Sequence, residues 1–194
     1  MTNMTSSVLT SAGLAVGVGV LVVEHIRWWR SGGAAAPAGG GKKGAPVAPA
    51  GKSRDPMILG QIWAGIAFGT LMVACPAGML GTAAGFIRWG GNGIGGTLMH
   101  TMTGAQPSSV ADAAAPQLDD KGAIVVTALV VVLFLLRKTY AKQIRGRFLR
   151  GVFIGTIVAI GTGVFAVIGQ TVVPGVNQLG AQLLGSIVHH GITT

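Results

Sequence analysis

The sequence predicts an all-α integral membrane protein with four transmembrane helices, close packing through glycine, a flexible linker between helices 1 and 2, and an amphipathic C-terminal helix. Three observations support this prediction. Of the 194 residues, 50% are hydrophobic and only 10% are charged, whereas an ordinary soluble domain has about 25% charged residues. Four long stretches are apolar, and the basic residues are concentrated between them. The single cysteine excludes a disulfide scaffold and a zinc site built from thiolates.

The four apolar stretches define the candidate spans. A helix needs about 20 apolar residues to cross a hydrocarbon core of about 30 Å. The first and fourth stretches reach this length with their flanks, and the third is short but has basic side chains at its ends that can reach the headgroups. Residues 1–7 carry no charged side chain, which favours a retained anchor over a cleaved leader. The spans are Val8–Val23, Met57–Ala74, Gly122–Leu136 and Gly151–Val173.

The second apolar region runs on beyond its predicted span, from Met57 to Ile87, and Cys75-Pro76 divides it. Proline removes a backbone donor and clashes with the preceding turn, so we expect the span to end at Ala74. Residues 78–87 are then a kinked continuation of the helix or a segment at the outer interface. A re-entrant half-helix is less favoured, since exposed backbone inside lipid is costly.

The distribution of basic residues predicts the topology. Six lie between the first two spans, six between the last two and two in the middle loop, and the tails have none. The positive-inside rule therefore places the two strongly basic segments in the cytoplasm and both termini outside the cell membrane. Aromatic residues fall at the expected membrane boundaries, as in an aromatic belt. They are Trp28, Trp29, Trp89 and Tyr140.

These assignments divide the chain into five segments. Residues 1–30 hold the first transmembrane helix, and 31–56 form a Gly-, Ala- and Pro-rich cytoplasmic linker. Residues 57–96 hold the second helix with its extension beyond the proline, 97–121 form an outer loop, and 122–194 form a helical hairpin with an amphipathic tail. In that tail the apolar residues recur at helical spacing. They are Val176, Leu179, Leu183, Leu184 and Ile187.

Glycine is unusually frequent, at 33 residues, and its spacing predicts close helix packing. Small residues four positions apart let two helix backbones approach each other within lipid. Such pairs occur on the first span, on the second span and beyond its proline, and a longer small-residue groove follows the fourth span. The third span is rich in Val and Leu and is expected to face lipid. The predicted helix-packing residues are Gly13, Gly17, Gly65, Gly69, Gly81, Gly85, Gly151, Gly155, Ala159 and Gly163.

The sequence offers no candidate catalytic, metal or cofactor site. Residues 91–96 match a dinucleotide-binding glycine pattern, but no strand precedes them, so we interpret them as a flexible outer turn. The sequence has no paired carboxylates and no nucleophile–base pair, and His189-His190 is interpreted as part of a solvated tail. The spans lack the ionisable groups that ion-coupled transporters place at mid-membrane. We therefore expect neither enzyme activity nor a cofactor.

The basic segment between the third and fourth spans is the candidate surface for anionic groups. Its apolar residues can enter the headgroup layer while its cations meet anionic lipid. Nucleic acid is an open alternative; its binding would be non-specific, through phosphate, and would weaken steeply with salt. The basic residues are Arg137, Lys138, Lys142, Arg145, Arg147 and Arg150.

Three functions fit this composition. The first is a non-enzymatic, oligomeric subunit of a larger envelope assembly, such as a conjugation or secretion apparatus that transfers DNA or protein. The second is a homo-oligomeric pore former of the holin or conduit kind, and the third is an envelope protein that binds an external partner. With its Gly- and Ala-rich linker, short loops and cationic inner segments, the chain resembles in composition the small hydrophobic proteins of actinobacterial mobile elements, including plasmid-spread proteins. That resemblance involves no alignable motif and implies only the choice of a conjugation apparatus.

Overall fold

The computed structural model describes residues 9–31, 56–75, 78–110, 116–136, 138–139, 144–160 and 163–191. This part of the chain forms six α-helices, and its β-type pairing is limited to an isolated bridge between Thr10 and Ser109. A π-helical turn, Ile144–Phe148, leads into the fifth helix. The helices are α1 (Ser11–Ser31), α2 (Pro56–Ala74), α3 (Gly78–Thr103), α4 (Asp120–Leu136), α5 (Leu149–Val158) and α6 (Ala166–Gly191). The predicted linker, 31–56, lies almost entirely outside the described residues.

The all-α class predicted from the sequence is confirmed for the described residues. Two of their helices are long and apolar enough to cross a membrane: Ser11–Arg30 has a mean hydropathy of 1.3, and Pro56–Ala74 has a mean hydropathy of 1.7. Helix α4 has 17 residues and α5 has 10. Length and composition are therefore compatible with a membrane span for α1 and for α2.

The chain turns back on itself after α2. Helix α2 ends at Ala74, as the following proline predicts, and Gly78 takes a φ of +88°, a left-handed conformation that glycine adopts without strain. Met72 of α2 and Ala84 of α3 then share one buried cluster. Helix α3 is therefore a separate helix folded against α2, and residues 78–87 do not continue α2 in a straight line.

Helix α3 is longer than the sequence predicts. It continues to Thr103, so residues 97–103, expected in the outer loop, are helical. The expected flexible turn over 91–96 is also wrong, because the same helix includes these residues. Gly91 and Gly95 are both buried in α3. Packing against other helices has overridden the poor intrinsic helix propensity of glycine.

The fourth predicted span, Gly151–Val173, is wrong as a single helix. Helix α5 ends at Val158, and Ala159 leaves the helical conformation with a ψ of 85°. Gly163 takes a φ of +74° before α6 begins at Ala166. The predicted small-residue groove therefore does not continue along one helix through Ala159 and Gly163.

A side chain from α3 lies at the C-terminal end of α5. The Arg88 guanidinium donates from Nε to the Thr156 carbonyl at 2.9 Å and from Nη2 to the Ala159 carbonyl. The last carbonyls of a helix have no partner within the helix, and a cation is favourable at that end. Arg88 therefore satisfies carbonyls at the C-terminal end of α5. The predicted span Gly151–Val173 is based on the hydropathy of its own residues, and Arg88 lies far from them along the chain.

Helices α1–α3 and α4–α6 form two corresponding halves. Helices α2 and α5 contain the same Gly-x-x-x-Gly-Thr motif, which begins at Gly65 and at Gly151. In each helix the buried threonine of this motif donates its hydroxyl to the carbonyl four residues earlier. The turns that follow match as well, because Gly78 and Gly163 both have positive φ.

The burial pattern repeats between the third helices of the two halves. Counted from the glycine of the preceding turn, the same four positions are buried in α3 and in α6. The starts of the halves also match: Leu9 packs with Ile157 and Ile160 of the other half, as Leu118 packs with Leu71 and Ala74. The matching buried positions are Gly81, Ala84, Arg88 and Gly95 in α3 and Ala166, Gly169, Val173 and Gly180 in α6, and α3 also buries Gly85 and Gly91.

Candidate functional site

A close crossing of α2 and α5 lies between the two halves. A Cβ added to Gly65 would lie 2.9 Å from the Cα of Gly151, and a Cβ added to Gly151 would lie 2.9 Å from the Cα of Gly65. These two Cβ atoms would also overlap the carbonyl oxygens of Phe148 and Ile62, respectively. Real Cβ atoms do not approach backbone so closely. Glycine is therefore required at both positions for the two backbones to meet.

The second glycine of each motif extends the same interface. A Cβ on Gly69 would overlap the Val152 carbonyl and lie 2.8 Å from the Thr156 nitrogen, and a Cβ on Gly155 would overlap the Ile66 carbonyl. Because contacts advance along both helices in the same direction, α2 and α5 are parallel. Four of the predicted helix-packing glycines therefore meet inside one chain, where they are covered.

The other predicted packing residues are divided between the helices. Gly13 of α1 faces the Asn92 side chain, and Gly17 faces Ile157. Gly81 and Gly85 are buried on α3. For four further glycines an added Cβ would come within 3.0 Å of another element; they were not among the predicted residues, although Gly91 and Gly95 form a Gly-x-x-x-Gly pair. They are Gly91, Gly95, Gly122 and Gly180.

An asparagine in the third helix of each half holds the start of the first helix. Asn92 Oδ1 accepts from the Thr10 backbone N–H at 2.9 Å and from the Thr10 hydroxyl at 3.0 Å. In the other half, Asn177 Oδ1 accepts from the Asp119 N–H at 3.2 Å. Thr10 and Asp119 are themselves N-caps, since their side chains accept from the N–H three residues later, at 3.1 and 2.7 Å. Each asparagine thus attaches a capped helix start to the third helix of its half.

A buried ion cluster lies at the opposite end of α1. Glu24 is buried, and its Oε1 accepts from Nη1 of Arg150 at 2.8 Å and from Nη1 of Arg27 at 3.3 Å. Arg150 comes from the start of α5, so the cluster joins two helices that run in opposite directions. Both arginine side chains remain more than half exposed, at 53% for Arg150 and 65% for Arg27. One carboxylate therefore faces two cations, which leaves a net positive charge at this end.

The predicted basic surface is only partly described by the structure. Arg150 belongs to the ion cluster, where it pairs with Glu24. Lys138 and Arg147 are exposed. Arg137, Lys142 and the side chain of Arg145 lie outside the described residues.

A groove of about 850 Å³ separates α1 from the C-terminal part of α3. It begins near Ser11, where Gly95 packs against the backbone of Ala12, and it ends at the ion cluster. Its walls are apolar along most of this length. The walls include Ala15, Gly19, Val20 and Val23 from α1 and Leu98, Met99 and Met102 from α3.

These features supply packing surfaces, paired charges and an apolar groove. In the described part of the chain, no group of three or more His, Cys, Asp or Glu side chains is placed to hold a metal ion. No protein-family model matches the chain, and comparisons with curated proteins and with solved structures give no match either.

Proposed function

We propose that this chain is a non-enzymatic, multi-pass membrane protein that serves as a subunit of a larger envelope assembly. The surface of α4 is the observation that carries this proposal. Of the 17 residues of α4, the buried ones are Gly122 and Val126. The large apolar side chains that α4 exposes are Ile124, Leu129, Val131, Val132, Phe134, Leu135 and Leu136.

Lipid is the medium that suits this surface. Complete burial of a large apolar side chain is worth about 1.5–3 kcal/mol, so seven side chains at roughly half exposure would cost several kcal/mol in water. At a rise of about 1.5 Å per residue, α4 is about 26 Å long. Lys121 lies in its first turn and Lys138 lies two residues beyond its end, and both can extend their charges to the headgroups. The membrane spans in this proposal are α1, α2, α4 and the continuous helical stretch 144–158, which joins the π-helical turn to α5.

The packing directions support the same topology. Helices α2 and α5 are parallel, and each follows a basic segment of the sequence. Helix α1 is antiparallel to α5, because Glu24 near its end pairs with Arg150 at the start of α5 while Gly17 faces Ile157. With the basic segments in the cytoplasm, the starts of α1 and α4 are outside. Both termini are then on the outer side of the cell membrane.

In this arrangement helix α3 begins on the outer side of the membrane, and the loop that follows it ends on the same side. It starts beside the end of α2, and the loop after it reaches the start of α1, where the Ser11 N–H donates to the Ser108 carbonyl at 2.8 Å. The Leu118 N–H then donates to the Ala74 carbonyl at 2.9 Å, at the end of α2. Helix α3 and its loop therefore add no net crossing. The matching helix α6 is assigned the same role.

Contacts with other subunits are proposed on exposed apolar side chains. The glycine faces of α2 and α5 are covered within the chain, so they are not available to a second copy. Helix α3 instead exposes Phe86 at 69% and Trp89 at 68%, and their rings lie 5.5 Å apart. Aromatic side chains are enriched at the centres of protein interfaces. A conjugation or secretion apparatus is the assembly that the composition suggests.

Single-cysteine labelling tests the topology. In a Cys75→Ala background, we expect Ser109→Cys to react with a membrane-impermeant maleimide on intact cells and Thr139→Cys to react only after permeabilisation. Both positions are exposed and carry small hydroxyl side chains, so cysteine replaces each of them with little change in size. Labelling of Thr139→Cys on intact cells would overturn the topology, and recovery of the chain without detergent would overturn the membrane assignment.

Crosslinking in native membranes tests the assembly. We expect a discrete crosslinked species with other subunits or copies of the chain, and Trp89→Ala should reduce it. A chain that remains monomeric would contradict the subunit proposal. Release of a trapped dye from liposomes that contain the purified chain would favour the pore former instead.

A further inference from the structure

We propose that the groove between α1 and α3 binds one acyl chain of an anionic glycerophospholipid, with its phosphate on Arg27 and Arg150. This inference rests on the proposed membrane location of the chain. It goes further by assigning a defined lipid site, with one acyl chain and one headgroup, to residues of α1, α3 and α5.

The groove has the length that an acyl chain requires. From Ser11 to Glu24, α1 rises about 20 Å at about 1.5 Å per residue. One leaflet of a hydrocarbon core of about 30 Å is about 15 Å thick, so an acyl chain that starts at the ion cluster can stay in the groove to its end. The walls along this path are aliphatic or thioether side chains, with Gly19 on α1 and Met102 on α3. A Cβ on Gly19 would meet nothing within 4 Å, so the groove is open at that point.

The charges at the end of the groove favour an anionic headgroup. Glu24 is buried between two guanidinium groups and neutralises one positive charge. Each guanidinium has five N–H donors in a planar fork, and a phosphate accepts such donors in bidentate geometry. Because Arg27 and Arg150 are more than half exposed at the mouth of the groove, their remaining donors are accessible from the headgroup layer. A zwitterionic headgroup would bring its own cation to the same place.

The equivalent position around α4 can be compared with the ion cluster of α1 and α5. The residues that correspond to Glu24, Arg27 and Arg150 are Leu133, Leu136 and Ala64. The α4 side therefore presents an apolar surface at the position where the α1 side presents two guanidinium groups. This difference favours one phospholipid site on the α1 side over general lipid contact around the molecule.

Native mass spectrometry of the full chain in detergent micelles tests this inference. The probes are phosphatidylglycerol and phosphatidylcholine with identical acyl chains. We expect one phosphatidylglycerol to bind about tenfold more tightly than phosphatidylcholine, the factor expected for one net charge-assisted hydrogen bond. Arg27→Gln should abolish this preference and leave weak binding of both lipids, because the groove itself is intact.

Gly19→Phe tests the contribution of the groove to lipid binding independently of the contribution of the two arginines. It places a ring in the open part of the groove and should lower phosphatidylglycerol binding about tenfold. Gly60→Phe on α2 is the matched control, since a Cβ there also meets nothing within 4 Å, and it should leave binding unchanged. Met102→Trp fills the groove from the opposite wall and gives a second test if Gly19→Phe loses its helical circular dichroism spectrum.

Two results would overturn the inference. One is equal affinity of the unmodified chain for the two lipids, and the other is unchanged phosphatidylglycerol binding in folded Gly19→Phe or Met102→Trp. The cysteine labelling described above is independent of both. A chain with the proposed topology and no lipid preference would refute the groove site alone, whereas labelling of Thr139→Cys on intact cells would refute the membrane topology.

Discussion

The two halves of the molecule have the same helical plan but carry different charges. Both use a Gly-x-x-x-Gly-Thr helix, a turn through a positive-φ glycine, and an asparagine that holds a capped helix start. Several positions that are charged in one half are apolar at the matching position of the other half. Arg88 and Glu24 of the first half correspond to Val173 and Leu133 of the second, and Arg150 of the second half corresponds to Ala64 of the first.

This comparison separates residues that set the geometry from residues that add chemistry. Close backbone approach and capped helix starts occur in both halves, so they belong to the shared plan. The second half forms the same plan without a buried carboxylate or guanidinium at the matched positions, and Val173 there is fully buried. The charges of Arg88, Glu24 and Arg150 therefore add features that the plan does not need, namely the contact of Arg88 with the end of α5 and the ion cluster beside the groove.

The largest expected effect comes from the glycine crossing that the halves share. Gly65→Leu forces a side chain into the Phe148 carbonyl and the Gly151 backbone, which cannot move without separating α2 from α5. We expect a loss of about 3 kcal/mol or more in the free energy of unfolding, at the upper end of the range for overpacking. Thermal unfolding in detergent, followed by circular dichroism, measures it.

Gly60→Leu is the matched control for this substitution on the same helix. No atom lies within 4 Å of a Cβ at Gly60, so its stability should change little. Gly151→Leu should be about as damaging as Gly65→Leu, because the two positions face each other. Equal stability of Gly65→Leu and Gly60→Leu would show that the close crossing is not formed.

A smaller loss in the free energy of unfolding is expected when Arg88 of the first half is replaced by valine, the residue at the matching position of the second half. Arg88→Val removes the donors to the Thr156 and Ala159 carbonyls and imports the side chain found at position 173. Leaving a buried carbonyl without its partner costs about 1–3 kcal/mol. Hydrogen exchange should also speed up at the end of α5 and not at the end of α2.

Arg88→Lys refines this prediction. Lysine keeps the positive charge but has a single ammonium group, so it cannot donate to two carbonyls with the planar fork of arginine. We expect an intermediate loss of stability. Full stability in Arg88→Val would mean that the carbonyls at the end of α5 find other partners and that Arg88 does not determine where α5 ends.

Sequence reasoning recovers elements whose determinants are local. The apolar runs predict the helices now seen as α1, α2 and α4, and proline marks the end of α2. The pairs at Gly65 and Gly151 were recognisable because the four-residue spacing lies within one helix. The spacing does not predict which helices these glycines bring together, since it is compatible with a contact inside the chain or with a contact to another copy.

The features that sequence reasoning missed depend on distant partners. The carbonyls at the end of α5 accept hydrogen bonds from Arg88, which is 68 residues from Thr156 along the chain, and hydropathy does not reveal this contact. Arg150 reads as one more cation of a basic segment until the fold places Glu24 beside it. The correspondence of the halves is visible in the sequence as repeated Gly-x-x-x-Gly-Thr and Asn-x-x-Gly motifs. These short motifs indicate a repeat only once the structure shows that their positions are equivalent.

The smallest expected difference lies between the two asparagines. Asn92→Leu removes the acceptor of two hydrogen bonds from Thr10, and Asn177→Leu removes the acceptor of the Asp119 N–H. A typical hydrogen bond contributes about 0.5–1.5 kcal/mol, so we expect Asn92→Leu to cost about 1 kcal/mol more than Asn177→Leu. Thermal unfolding of the two variants in the same detergent measures this difference. If Asn177→Leu were as destabilising as Asn92→Leu, the second half would rely on its asparagine as strongly as the first, and the asymmetry would be confined to the charged positions.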